Sequence, residues 1–252
     1  MELDAEKIKS YLQSDKYDFK TFSMGYTISM KKTLDRLDLK VNDVFTHFGS
    51  IKDIVNLNQY LSKLGTNTTD DIKSIEKLIM SIIRKVLKGY TKKHFWMDIR
   101  VTQPDHDFDI PRWHKDGNFF LQGPIELHTS KFATVLKGPG TLLIKGTKKI
   151  NQIYNEHLIE ERKEYILTKD MKDMKEQSIR INKKYRPILA KKLANEKVIQ
   201  VKNTQGVIFF AGNPREKAAL HSEPPNDAPR LFISILPSTE MNIKDLKERW
   251  NK

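Results

Sequence analysis

The 252-residue sequence contains no cysteine. That excludes a disulfide framework, thiolate zinc sites and a cysteine nucleophile, and it fits a reducing compartment. No apolar run approaches the roughly 18–20 residues of a membrane-spanning helix. The opening stretch, Met1-Glu-Leu-Asp-Ala-Glu-Lys7, lacks a signal-peptide core. A soluble, intracellular protein, cytoplasmic or nuclear and without a membrane partner, is therefore expected. Phosphate-cradling signatures are missing too: there is no Walker A loop, no dinucleotide-binding glycine fingerprint and no Gly-x-Ser-x-Gly elbow. Acids are the minority charge, 32 against 45 Lys and Arg, which leaves a formal net charge of +13. Such an excess suits an acidic partner such as nucleic acid, but a lysine-rich surface with no partner reads the same way.

What is present is long enough for a sizeable core and falls into stretches. Residues 1–92 read as helical. Apolar residues recur at three and four positions in Ile51, Ile54, Val55, Leu57 and Leu61, and again in Ile72, Ile75, Leu78, Ile79, Ile82, Ile83 and Val86. Thr33 to Leu39 suggests a further short helix; Thr66-Asn-Thr-Thr-Asp-Asp71 offers helix-start residues and Gly89 a stop. These helices are expected to buttress a sheet. From His94 the period becomes two. Phe95–Thr102, Phe119–Gln122, Lys131–Leu136, Thr141–Ile144, Val198–Val201, Gly206–Phe210 and Arg230–Leu236 read as short strands parted by turn residues, with Pro237 ending the last. This pattern predicts a sandwich or barrel over residues 93–240. A charged, helix-compatible insert interrupts it at about 147–197, with fourteen basic and eight acidic residues. Residues 241–252 close the chain with a helix from Ile243 to Trp250.

Within the strand-rich part, His114 and Asp116 stand two apart in Pro111-Arg-Trp-His-Lys-Asp-Gly-Asn118. On an extended strand, residues i and i+2 point to the same side. An imidazole and a carboxylate placed so can hold adjacent positions on one metal. His221, in Leu220-His-Ser-Glu-Pro-Pro-Asn-Asp-Ala-Pro-Arg230, can supply a third ligand from a distant strand. Two histidines and one carboxylate with the remaining positions open form the facial triad of non-haem Fe(II) oxygenases. Alone, His-x-Asp is weak, because Asp-Gly is common turn chemistry. The ordered set of His-x-Asp, distal His and trailing Arg is far more specific. His106 and Asp107 leave a zinc hydrolase open, though no His-Glu-x-x-His helix accompanies them. His47, His94, His128 and His157 have no partner pattern.

Over about Phe95 to Pro237, the insert excepted, the chain resembles the Fe(II)/2-oxoglutarate-dependent dioxygenases. Trp113-His-Lys-Asp116 is similar to their metal motif. Gly206-Val-Ile-Phe-Phe210 followed by His221 is similar to their glycine turn, apolar strand and distal histidine. Ala133-Thr-Val-Leu-Lys-Gly-Pro-Gly-Thr141 is similar to a segment of uncharacterised bacterial members. The resemblance implies an α+β fold built on a double-stranded β-helix (jelly roll) with helices packed outside. It also implies Fe(II) held by His114, Asp116 and His221, with 2-oxoglutarate and O2 as co-reactants in a hydroxylation or demethylation. Arg230 falls about where the family places the cation for the cosubstrate's far carboxylate, which guanidinium can grip in a bidentate way. Some members carry Arg-x-Ser there, whereas this chain has Arg230-Leu-Phe232. The helper hydroxyl is thus open among Thr134, Thr141 and Ser234.

The substrate is less legible. Trp113 and Asn118, beside the motif, are candidates to line the pocket, with plain core as the blander reading of Trp113. The insert carries Arg180, Lys183, Lys184, Tyr185 and Arg186 in a run without an acid from Arg180 to Lys192. A basic patch with an aromatic is the best nucleic-acid candidate in the chain; the other reading is a solvated helical excursion. A macromolecule, nucleic acid or protein, is favoured over a small metabolite. Two other classes stay open: a basic binding protein that keeps the barrel without chemistry, and a cupin-type barrel, a type that usually spends more histidines on its metal.

Overall fold

A computed structural model describes residues 2–14, 18–120, 129–167, 174–212 and 216–250. The expected strand Phe119–Gln122 runs into the undescribed 121–128, and His128 lies outside as well.

Alternation decides which way each strand faces. In β4 (Thr129–Lys137) and β7 (Gln205–Ala211), Phe132, Leu136, Ile208 and Phe210 join one cluster, with Leu231, Ile233 and Ile235 of β9 (Arg230–Ser238). That cluster includes Ile75, Ile79, Ile82, Ile83 and Val86 of α4 (Thr69–Tyr90), whose start is capped by the Thr68 hydroxyl accepting from the Asp71 N–H. The intervening residues Ala133, Val207 and Phe209 face the other way, onto Leu143, Val201 and Ala219. Strands buried on both faces read as near-continuous apolar runs, which is why they stand out in the sequence.

The chain winds between two antiparallel sheets. From β3 (His94–Thr102) in the large sheet it crosses to the small one at His114, which bridges His221, and returns in β4. It crosses again to β5 (Leu142–Ile144). After the insert α5 (Lys148–Leu167) and α6 (Met174–Lys192) it adds β6 (Val198–Gln200), returns in β7, crosses to β8 (Leu220–Ser222) and ends the barrel in β9. This is the winding of a double-stranded β-helix, or jelly roll. The last helix, α7 (Glu240–Trp250), packs Ile243 and Leu246 on Trp96, Phe119 and Leu236.

Three expectations need correction. Residues 1–92 are not wholly helical. Besides α1 (Ala5–Leu12), α2 (Ile28–Arg36) and α3 (Leu57–Ser62), they contribute β1 (Phe19–Ser23) and β2 (Asp43–Ser50), the outer strands of the large sheet, whose order is β1-β7-β4-β9-β3-β2. Phe19-Lys-Thr-Phe-Ser23 is too short to show a period, and its pairing with β7 is invisible until β7 is in place. The apolar spacing at Ile51, Ile54 and Val55 makes only a 3₁₀ turn, Ile51–Asp53, and leaves Val55 exposed. Finally, β9 continues through Pro237 to Ser238. Its pairing with β4 stops at Ile235, so Pro237 lies where β9 has only β3 beside it and its missing N–H disturbs one ladder at most.

The Gly138-Pro-Gly140 turn seats the start of β9. An added Cβ at Gly140 would lie 1.8 Å from the Val201 carbonyl oxygen, whereas one at Gly117 meets nothing within 4 Å. Gly140→Ala is therefore expected to cost about 3 kcal/mol, read as a lower urea midpoint, with Gly117→Ala near neutral. Equal midpoints would mean that the turn yields freely.

Candidate metal centre

His114 and His221 are brought together by the backbone. Each donates its N–H to the other's carbonyl, both at 2.9 Å, and their rings lie 4.2 Å apart between centroids. Alternation then sorts the motif. Trp113 turns outward into a cluster with Ile144, Tyr154 and Leu189, and Lys115 donates through Nζ to Asn151 Oδ1 at 2.8 Å. His114 and Asp116 turn inward. The Tyr154 hydroxyl accepts from the Lys115 N–H at 3.1 Å, and the Gly212 N–H donates to the Asp116 carbonyl at 2.9 Å. Thus the insert braces the motif strand from behind through Trp113 and Lys115.

One ligand atom from each of His114, Asp116 and His221 lies within 4.8 Å of the others. Nδ1 of His114 faces the Arg112 carbonyl at 2.8 Å and Nδ1 of His221 the Ala219 carbonyl at 3.0 Å. A carbonyl only accepts, so each Nδ1 carries a proton and each Nε2 is the ring nitrogen turned to the site. Those Nε2 atoms stand 3.9 Å from Asp116 Oδ1 and 3.8 Å from Oδ2. Burial and the neighbouring His114 push the His221 imidazole down to about 3, against the pull of Asp116, so it is neutral at physiological pH. Burial pushes the Asp116 carboxyl up, but Lys131, His221 and His114 together outweigh it and hold the group well below the usual carboxylate range. Two imidazoles and one ionised carboxylate with an open side suit Fe(II) or a similar divalent ion.

These ligands line a cavity of about 200 Å³ shared with Arg230, Thr141, Ser234 and Lys131, with Trp96, Arg100, Phe119, Phe232 and Trp250 around it. Arg230 is 7% exposed. It donates through Nε to the Pro139 carbonyl at 2.9 Å and lies 4.5 Å over the Phe232 ring. Burial pushes its guanidinium down to about 10, still charged at neutral pH, and among the described residues no carboxylate forms an ion pair with it. Thr141 and Ser234 line the cavity with it. Thr134 does not line it: it shares the outer face with Phe132 and Leu136, and its hydroxyl donates to the Gln205 carbonyl at 2.9 Å. Asn118 is exposed and outside the cavity wall, and Trp113 is core.

The basic run of the insert is largely spent within the fold. Arg180 and Lys184 pair with Glu164 at 3.6 and 2.8 Å. Arg186 donates to the Asp107 and Ile110 carbonyls and stacks over Phe108, and Tyr185 meets His157 edge-on. Lys183 alone of the five is plainly exposed without such a role.

Sequence reasoning missed Lys131. Its Nζ lies 2.6 Å from Asp116 Oδ2, between the rings of Phe119 and Phe209. A signal existed: Lys131 shares a strand face with Ala133, and a lysine leading a buried face implies an acid opposite it.

No family model matches the chain, and no curated protein matches it. Solved structures do. The cobalt(II) complex of the Kdo hydroxylase, a non-heme Fe(II) alphaketoglutarate dependent dioxygenase, is 11% identical with a TM-score of 0.47, over 98% of this chain and 92% of that one. A Pseudomonas putida prolyl-4-hydroxylase is 10% identical with a TM-score of 0.40, over 93% and 98%. The rice dioxygenase for auxin oxidation is 9% identical with a TM-score of 0.43, over 92% and 78%.

Proposed function

We propose that the protein is an Fe(II)- and 2-oxoglutarate-dependent oxygenase. The observation that carries this reading is the meeting, in one cavity, of a His-Asp-His ligand set with both Nδ1 atoms turned to backbone carbonyls and a buried arginine that, among the described residues, has no carboxylate in an ion pair with it. Bound Fe(II) and the 2-oxo acid would supply, with O2 and loss of CO2 to give succinate, an oxidant for an unactivated C–H bond. The chain's own share is to hold the metal with His114, Asp116 and His221, to orient the cosubstrate, and to exclude water. Arg230 would take the far carboxylate, with Thr141 and Ser234 as hydroxyl donors. Trp96, Phe119 and Trp250 wall the cavity.

A macromolecular substrate, nucleic acid or protein, for hydroxylation or demethylation draws support from the net charge of +13. The insert's basic run adds less than its composition promises, because Arg180, Lys184 and Arg186 already have partners inside the fold. Its clearer contribution is structural, as the brace behind Trp113 and Lys115.

The test is uncoupled turnover. Protein purified without oxygen is given Fe(II) and 2-oxoglutarate, O2 is admitted, and succinate is followed. Succinate that depends on both additions is expected. The reading fails if direct titration finds that the wild type binds neither the metal nor 2-oxoglutarate.

A further inference from the structure

A second cation already occupies the carboxylate that a metal would use. Lys131 Nζ is 2.6 Å from Asp116 Oδ2, and the two side chains are only 16% and 14% exposed. The contact is charge on charge, for Oδ2 is buried without a completed hydrogen bond. It is the same oxygen that stands 3.8 Å from His221 Nε2. The lysine is also confined: its ammonium lies 5.1 Å from the Phe209 ring centroid and 5.5 Å from that of Phe119.

Charge counting shows what must happen when a metal arrives. Without metal, the Asp116 carboxylate and the Lys131 ammonium face each other as one pair. A divalent ion at the three ligand atoms would leave three positive charges around a single carboxylate in a site with little water to screen them. The ammonium must then leave Asp116. It stays tethered to β4, whose Lys131 pairs in register with Phe209, so it cannot go far. Among the described residues, the other acids near the cavity already face arginines, Glu223 with Arg112 at 2.8 Å and Asp98 with Arg100 at 2.9 Å. The next available anion is one that enters with the ligand.

We propose that Lys131 is a positioning residue that holds Asp116 in the metal-free protein, yields it to the metal, and then pairs with the metal-proximal carboxylate of the 2-oxo acid. This deepens the oxygenase reading and rests on it. Lys131 opposes metal entry and favours cosubstrate entry, because the two negative charges of the 2-oxo acid offset the two positive charges that the metal adds. A purely structural counter-ion would behave otherwise: its removal would loosen the fold and the metal site together.

The experiment separates these. Co(II) is titrated into metal-free wild type, Lys131→Gln and Lys131→Met, with tryptophan fluorescence as readout, since Trp96 and Trp250 line the cavity and Trp113 adjoins His114. 2-Oxoglutarate is then titrated into each Co(II)-loaded protein. Thermal melts verify folding, and Gln keeps an amide donor for Asp116 should Met fail to fold. Both variants are expected to bind Co(II) about tenfold more tightly and 2-oxoglutarate about tenfold more weakly than wild type. If wild type binds both and the variants match it, or bind Co(II) more weakly, the inference is overturned while the oxygenase reading stands. Should the variants bind Co(II) where wild type binds neither Co(II) nor 2-oxoglutarate, the oxygenase reading falls, and the inference that rests on it falls with it. Absence of binding in all three proteins overturns both.

Discussion

Arg230→Leu is expected to weaken 2-oxoglutarate binding about 100-fold or more while leaving metal affinity unchanged. The guanidinium is buried and charged, its Nε is spent on the Pro139 carbonyl, and its remaining N–H groups are fixed above Phe232. Losing one partner of a buried, hydrogen-bonded charge pair costs roughly 2–5 kcal/mol. Leucine retains apolar volume over Phe232, so the loss should fall on the carboxylate and not on packing. His114→Ala gives the converse pattern: metal binding collapses, and cosubstrate binding with it. Isothermal titration with Mn(II), followed by 2-oxoglutarate, distinguishes the two. If Arg230→Leu binds 2-oxoglutarate as wild type does, the far carboxylate lies elsewhere and Arg230 only anchors the Gly138–Gly140 turn.

The candidate ligand set was legible because its chemistry is short-range. His-x-Asp on extended backbone needs only a period of two, and that is how His114 and Asp116 turn inward while Trp113 and Lys115 turn out. His221 and Arg230 were legible through the apolar strands beside them. The helper hydroxyls were not all legible, since Thr134 and Lys131 differ by three residues and so face opposite ways; only a fixed register tells which of the two sees the cavity. β1 and β2 escaped notice for a related reason. An outer strand of five or eight residues is defined by its partner, and for β1 that partner, β7, lies far along the chain. The basic run misled in the opposite sense. Arg180, Lys184 and Arg186 look free in sequence because Glu164 and the carbonyls of residues 107 and 110 reach them only after folding.

The metal-free protein is expected to lose stability as pH falls below 6.5, and His221 should account for much of the loss. In the folded chain His221 is buried beside His114 and Lys131, with Asp116 as the opposing acid, and its imidazole is pushed down to about 3. In the unfolded chain it returns to about 6.5. Between those values the unfolded state takes up a proton that the folded state refuses, so stability falls with pH by up to about 5 kcal/mol across the whole window. Between pH 7.5 and 4.5 the share is about 3 kcal/mol. His47 and His157, also lowered by burial, act in the same direction, whereas Asp18 and Glu161, raised by burial, act against it. The measurement is therefore a difference: urea midpoints of wild type and His221→Leu at the two pH values. The variant should lose about 3 kcal/mol less on acidification. Equal losses would mean that His221 protonates as readily folded as unfolded. A histidine kept neutral well into the acid range offers its Nε2 lone pair to a metal without first giving up a proton, which ties the acid sensitivity of the fold to the readiness of the site.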